Sequence, residues 1–145
     1  MTRRGTAPTD HAGLEVLSTD ECLELAAGRP VGRVAFVRDG GIEVFPVNHR
    51  VVDRTVAFRT AGGAKFTAAF LGSVVTFEVD SYGARRRTGW SVLVKGRAER
   101  VTDGATLARL AATGLRTWSP SAARAEWVVV RPEEISGRRL RGHRS

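Results

Sequence analysis

With 145 residues, 42% of them hydrophobic and 26% charged, the chain suits one domain with a full core, and no apolar run reaches membrane-span length. One cysteine, Cys22, excludes an internal disulfide and fits a reducing cytoplasm, while the N-terminus carries arginines without the apolar core of a secretory signal. The formal charge of +8 comes from Arg3 and Arg4, Arg85 to Arg87, and Arg138, Arg139, Arg141 and Arg144; setting those nine aside leaves 14 basic residues against 15 acidic ones.

In chain order, residues 1–13 carry Gly, Pro and Thr without periodicity and read as a disordered arm. Ser18 and Glu21 form a capping box opening a helix with an apolar face of Cys22, Leu23, Leu25 and Ala26, ended by Gly28. Cys22 reads as a small core residue. From Arg33 the period changes to strands: 33–38 and 42–47 around an Asp39-Gly40-Gly41 turn, then 55–60 after the less usual turn Asp53-Arg54. Residues 73–80 alternate cleanly, and 82–88 form a basic loop. The segment 89–101 is a long strand in which Gly96 marks a bulge or a close backbone approach. Asp103 caps a helix through Leu107 and Leu110, the segment Trp118-Ser119-Pro120 is a loop, and 126–131 and 134–140 read as two closing strands. Residues 14–140 thus form one mainly β domain with a few short helices, an antiparallel barrel, followed by a basic tail at 141–145.

Two stretches carry candidate chemistry. Arg59 and Thr60 end a strand, Gly62 and Gly63 permit a tight turn, and 64–71 form a short helix with Lys65 in its first turn. A cation is disfavoured at a helix start, and a bound phosphate reverses that penalty. The planar fork of Arg59, the Thr60 hydroxyl and Lys65 as a point charge would hold the anion. On spacing alone, a phosphate site and a solvated helix start both remain open. In Phe45-Pro46-Val47-Asn48-His49 the proline removes a ladder donor; the free backbone suits the polar edge of a heterocycle, and a simply fraying strand is the plainer alternative. His49 reads as a ring-contacting or surface side chain, since zinc-ligand spacing and a nucleophile elbow are both missing. No groove-reading motif accompanies the basic clusters, so nucleic-acid binding is not the expectation.

The ordered segments GRVAF (32–36), FPVNH (45–49), FRTAGGAKF (58–66), VTFEVD (75–80), GWSVLVKGRAE (89–99) and SGRRL (136–140) resemble the pyridoxamine 5′-phosphate oxidase-like family of flavin-binding split barrels, in its short bacterial branch. The resemblance implies a six-stranded Greek-key split barrel of the FMN-binding type and a homodimer with FMN at the subunit interface. Pro46, Val47, Asn48 and His49 would line the flavin ring, and Arg59, Thr60 and Lys65 would bind its phosphate. Trp90, Ser91 and Val92 would approach from the other subunit. It further implies a cytoplasmic FMN-dependent oxidoreductase, with the substrate and electron donor unassigned. F420 on the same barrel, or a non-catalytic flavin or haem binder, are the alternatives. Two departures stand out: His49 replaces a common tyrosine, and the Asp53-Arg54 turn lacks glycine. Arg138 and Arg139 match the closing motif without an assigned role.

Overall fold

The structure, a computed structural model, describes residues 8–60, 64–117 and 126–142; of residues 64–66 it describes the backbone only. The loop expected at 118–120 and the glycine turn at 62–63 lie outside the described residues. The capping box forms as expected: the Glu21 N–H donates to Ser18 Oγ, and the Ser18 N–H donates to Glu21 Oε1, opening helix α1 (Thr19–Ala27).

Strand β2 (Val31–Arg38) turns through Asp39 and Gly40, both at positive φ, into β3 (Gly41–Val52). β3 runs five residues beyond the expected end at 47, because its second half finds another partner in β4 (Thr55–Thr60). Helix α2 (Ala64–Phe70) leads to β5 (Val74–Gly83) and β6 (Thr88–Arg100). Helix α3 (Gly104–Ala112) is capped by Asp103, which accepts the Thr106 N–H at 2.8 Å. The two expected closing strands are one, β7 (Glu126–Leu140). Its pairing with β6 shifts register beside Gly96, leaving Glu133 as the extra residue, so a bulge absorbs what looked like a break at Pro132.

All pairings are antiparallel. Six long strands close a ring, β7-β4-β3-β2-β5-β6, through the β6–β7 seam. A two-residue β1 (Glu15–Val16) adds a seventh strand outside β7. The described chain is already fixed from Pro8 onward: Val16 N–H donates to the Pro8 carbonyl, Asp10 accepts the N–H groups of Ala12 and Leu14, and Arg138 Nε lies 3.0 Å from Asp10. Phe36, Phe58, Phe70 and Phe77 fill the barrel with valines from every long strand. Gly32 carries no side chain because a Cβ there would occupy the Phe77 ring. Cys22 is fully buried in this core, as expected. Ala57, Leu110, Trp127 and Val129 form a smaller cluster under α3. No described helix is long and apolar enough to cross a membrane.

The Asp53-Arg54 turn holds both central residues in the left-handed region, at φ 50° and 61°. A side chain there costs about 1 kcal/mol or more, whereas the exposed Arg54–Asp20 pair at 2.9 Å contributes less. Arg54→Gly is expected to raise stability by roughly 0.5 kcal/mol. A lower midpoint in urea unfolding would contradict this.

Candidate functional site

Each half of β3 is paired on one side only. Residues 41–48 pair β2, residues 49–52 pair β4, and the β3–β4 ladder stops at His49 opposite Phe58. Beyond that point β4 leaves β3 and follows β7, with Arg59 opposite Trp127 and Thr60 opposite Glu126. The result is a fork: Pro46, Val47 and Asn48, which pair with β2 and not with β4, on one side, Arg59, Thr60 and the start of α2 on the other. A strand stretch paired on one side and facing a cationic strand end can take a polar heterocycle and an anion together.

Side-chain parity divides the expected ring-lining residues. Pro46 and Asn48 face outward, while Val47 and His49 face the core. Asn48 Nδ2 donates to the Arg116 carbonyl at 2.9 Å, tying the outer wall of the fork to the chain after α3. His49 is not at the surface, one of the two places expected for its side chain. It is 1% exposed, edge-on to Phe77 at 4.8 Å, and its Nε2 donates to the Ala26 carbonyl at 2.8 Å. Its own N–H is taken by the Pro30 carbonyl, and Nδ1 has no partner among the described residues. The imidazole thus joins α1 to the barrel, a role open to it only because the residue falls on an inward position of β3.

Burial, assisted by the neighbouring charge of Arg50, holds the His49 pKa below its ordinary 6.5, against the opposing pull of the Ala26 carbonyl. Above 6.5 both folded and unfolded chains carry neutral imidazole. Below it the unfolded chain gains a proton that the folded chain resists, so stability falls until pH passes the folded pKa. Wild type is therefore expected to lose up to about 1.4 kcal/mol per pH unit relative to His49→Gln below pH 6.5. Parallel urea curves for the two proteins from pH 7.5 to 5 measure it; a pH-independent difference would refute it.

Arg59 is a cation without a full set of partners at the fork. Its guanidinium lies over the Trp127 ring, 5.4 Å from the centroid, and its Nε is buried without an acceptor among the described residues. Among the described residues it forms no ion pair. A buried guanidinium N–H without a partner is costly, and an anion is the acceptor it lacks. Thr60 faces inward, buried, with its hydroxyl 3.1 Å from that of Thr67, so a ligand would have to share it. Lys65 belongs to α2.

Trp90, Ser91 and Val92 lie on β6, three strands from β3 either way around the ring. Ser91 is exposed, Trp90 half-buried, and the Val92 side chain is wholly within the core, so only its backbone can face outward. One subunit does not bring them to the fork. A feature the sequence did not flag stands beside it: Arg33, opposite Pro46, has Nη1 3.2 Å from Glu78 and 3.6 Å from Asp80. Burial, with Asp80 adding to it, lifts Glu78 to about 7.

The sequence model of the pyridoxamine 5′-phosphate oxidase family matches residues 18–139. The chain belongs to that family. An uncharacterized protein of Mycobacterium tuberculosis is 37% identical over 142 residues, covering 94% of this chain and 92% of its own. The FAD-binding protein from Mycobacterium smegmatis is 38% identical, with a TM-score of 0.73 over 87% of this chain and 97% of that one. A FAD-binding protein from Mesorhizobium loti is 27% identical, with a TM-score of 0.71 over 88% and 98%. Within the pyridoxamine 5′-phosphate oxidase family, then, this chain has flavin-binding neighbours of nearly its own length.

Proposed function

We propose that this protein is a flavin-dependent oxidoreductase that holds the flavin phosphate in the β3–β4 fork. The observation that carries the reading is Arg59, a cation whose buried Nε has no partner among the described residues, beside the stretch of β3 that β4 leaves. Arg59 and Lys65 hold the phosphate, with Thr60 sharing its hydroxyl. The backbone of residues 46–48 orients the ring, and Asn48 keeps that edge against the Arg116 carbonyl. The bound flavin would supply hydride and electron transfer; the chain's residues bind, orient and exclude water. FMN and FAD share the portion this fork addresses, and the FAD-binding relatives favour a flavin over F420.

A homodimer completes the reading. Val37, Ile42, Val44 and Val74 are exposed apolar residues on the outer faces of β2, β3 and β5, an area that a second subunit would cover. Trp90 of that subunit would then close over the ring. The purified protein is expected to be yellow, or to become so on reconstitution with FMN or FAD, at one flavin per chain, and to run as a dimer. A folded protein that takes up neither flavin overturns the proposal.

A further inference from the structure

On the outer face of β3, β2 and β5 the strand register builds a grid with two distinct ends. Val37 lies opposite Ile42 and Ala35 opposite Val44; two residues further along, Arg33 lies opposite Pro46. On the other side of β2, Ala35 lies opposite Thr76 and Arg33 opposite Glu78. Residues two apart on a strand share a face, so the apolar end (Val37, Ile42, Val44 and Val74) runs directly into Arg33, Glu78 and Asp80. The face given above to a second subunit therefore includes this charged cluster.

The cluster is unbalanced. Arg33 Nη1 lies 3.2 Å from Glu78 and 3.6 Å from Asp80, so one guanidinium serves two carboxylates. With both ionised the three groups carry one net negative charge, and one bound proton makes them neutral. The flanking positions bring no second cation: β6 sets Leu93 opposite Glu78 and Ser91 opposite Asp80, and β3 sets Pro46 beyond Arg33. On the adjoining rows Lys95 stands opposite Thr76 and faces Glu134 across the seam, Arg97 is engaged with Glu133, and Arg138 with Asp10. Glu78 is the more covered carboxylate, its side chain 26% exposed against 48% for Asp80, so it is the one that takes the proton. Burial, with Asp80 adding to it, outweighs Arg33 and already sets Glu78 at about 7 in the single subunit.

We propose that closing a second subunit over this face loads a proton onto Glu78, so that dimer assembly is proton-linked and weakens as pH rises. Covering the cluster removes the water that screens its excess negative charge, and a buried carboxylate short of a partner is neutralised by protonation. The dimer then binds more protons than two separate subunits, and raising the pH favours separation. Well below pH 7 both states are protonated and the dependence vanishes. This inference rests on the homodimer reading and adds regulation to it: separation at high pH would withdraw Trp90 of the partner subunit from the fork.

Sedimentation velocity on dilution series of the full chain, from pH 6.5 to pH 9, tests the linkage. The dimer Kd should rise with pH, approaching about a hundredfold per unit where each subunit releases one proton. Glu78→Gln and Asp80→Asn each leave one carboxylate for one guanidinium. Both variants should hold a nearly constant Kd and dimerise more tightly than wild type at pH 9. A wild-type dimer whose Kd stays level, or falls as pH rises, overturns the proposal and leaves the homodimer reading standing. A slope retained in both variants assigns the proton to another group and overturns it as well. A chain that stays monomeric at every pH and concentration removes the homodimer reading and the linkage together.

Discussion

Replacing Arg59 and Lys65 together with alanine should lower flavin affinity by two to four orders of magnitude. Charge-assisted bonds to phosphate contribute roughly 1.5–3 kcal/mol each, and 1.4 kcal/mol is tenfold in Kd. Arg59→Ala alone should account for half or more of that loss, because the guanidinium is preplaced over Trp127 and need not be ordered on binding. The same substitution removes an unpartnered buried Nε, so the unliganded protein should lose little stability. That pairing of outcomes, lost affinity with retained stability, distinguishes a ligand-holding arginine from a structural one. Fluorescence titration of apoprotein with FMN measures the affinity and thermal melts measure the stability. Flavin affinity within threefold of wild type in the double variant would remove the fork from consideration.

Much of this site was legible before any coordinates. Arg59, Thr60 and the short helix follow one another in the sequence, so local chemistry was enough to group them. Residues 45–49 could be joined to them only through the family resemblance, because the fork that unites them depends on where the β3–β4 ladder stops. Trp127 could not be placed under Arg59 at all: that contact is a matter of register between β4 and β7, some seventy positions apart in sequence. The burial of His49 was hidden for another reason. Neither composition nor motif reveals parity in a strand that changes partners midway, and a one-residue step separates a ring contact from a core residue. At the level of fold, Pro132 mimicked a strand end because a proline normally breaks a ladder, while the bulge that accommodates it is visible only in the paired strand. The N-terminal residues from Pro8 looked featureless because what fixes them, Asp10 against Arg138, lies at the other end of the chain.

Gly96→Ala should be the most damaging small substitution in the barrel, costing about 3 kcal/mol or more, a large share of a typical domain's stability. A Cβ at this position would overlap the Arg131 carbonyl oxygen, with the carbonyl carbon at 2.7 Å and Pro132 Cα at 3.1 Å. These are backbone atoms, so no rotamer change relieves the clash. The two strands would have to part at the seam that closes the ring. At Gly32 the obstacle is the Phe77 side chain, but its ring is fully buried and held by the core, so that site should also be intolerant. Gly104, with open space around it and an ordinary φ at the start of α3, is the control and should accept alanine without loss. Guanidinium unfolding of Gly96→Ala beside Gly104→Ala measures the difference. Equal midpoints for the two would mean that the β6–β7 strands do not approach as closely as this geometry requires.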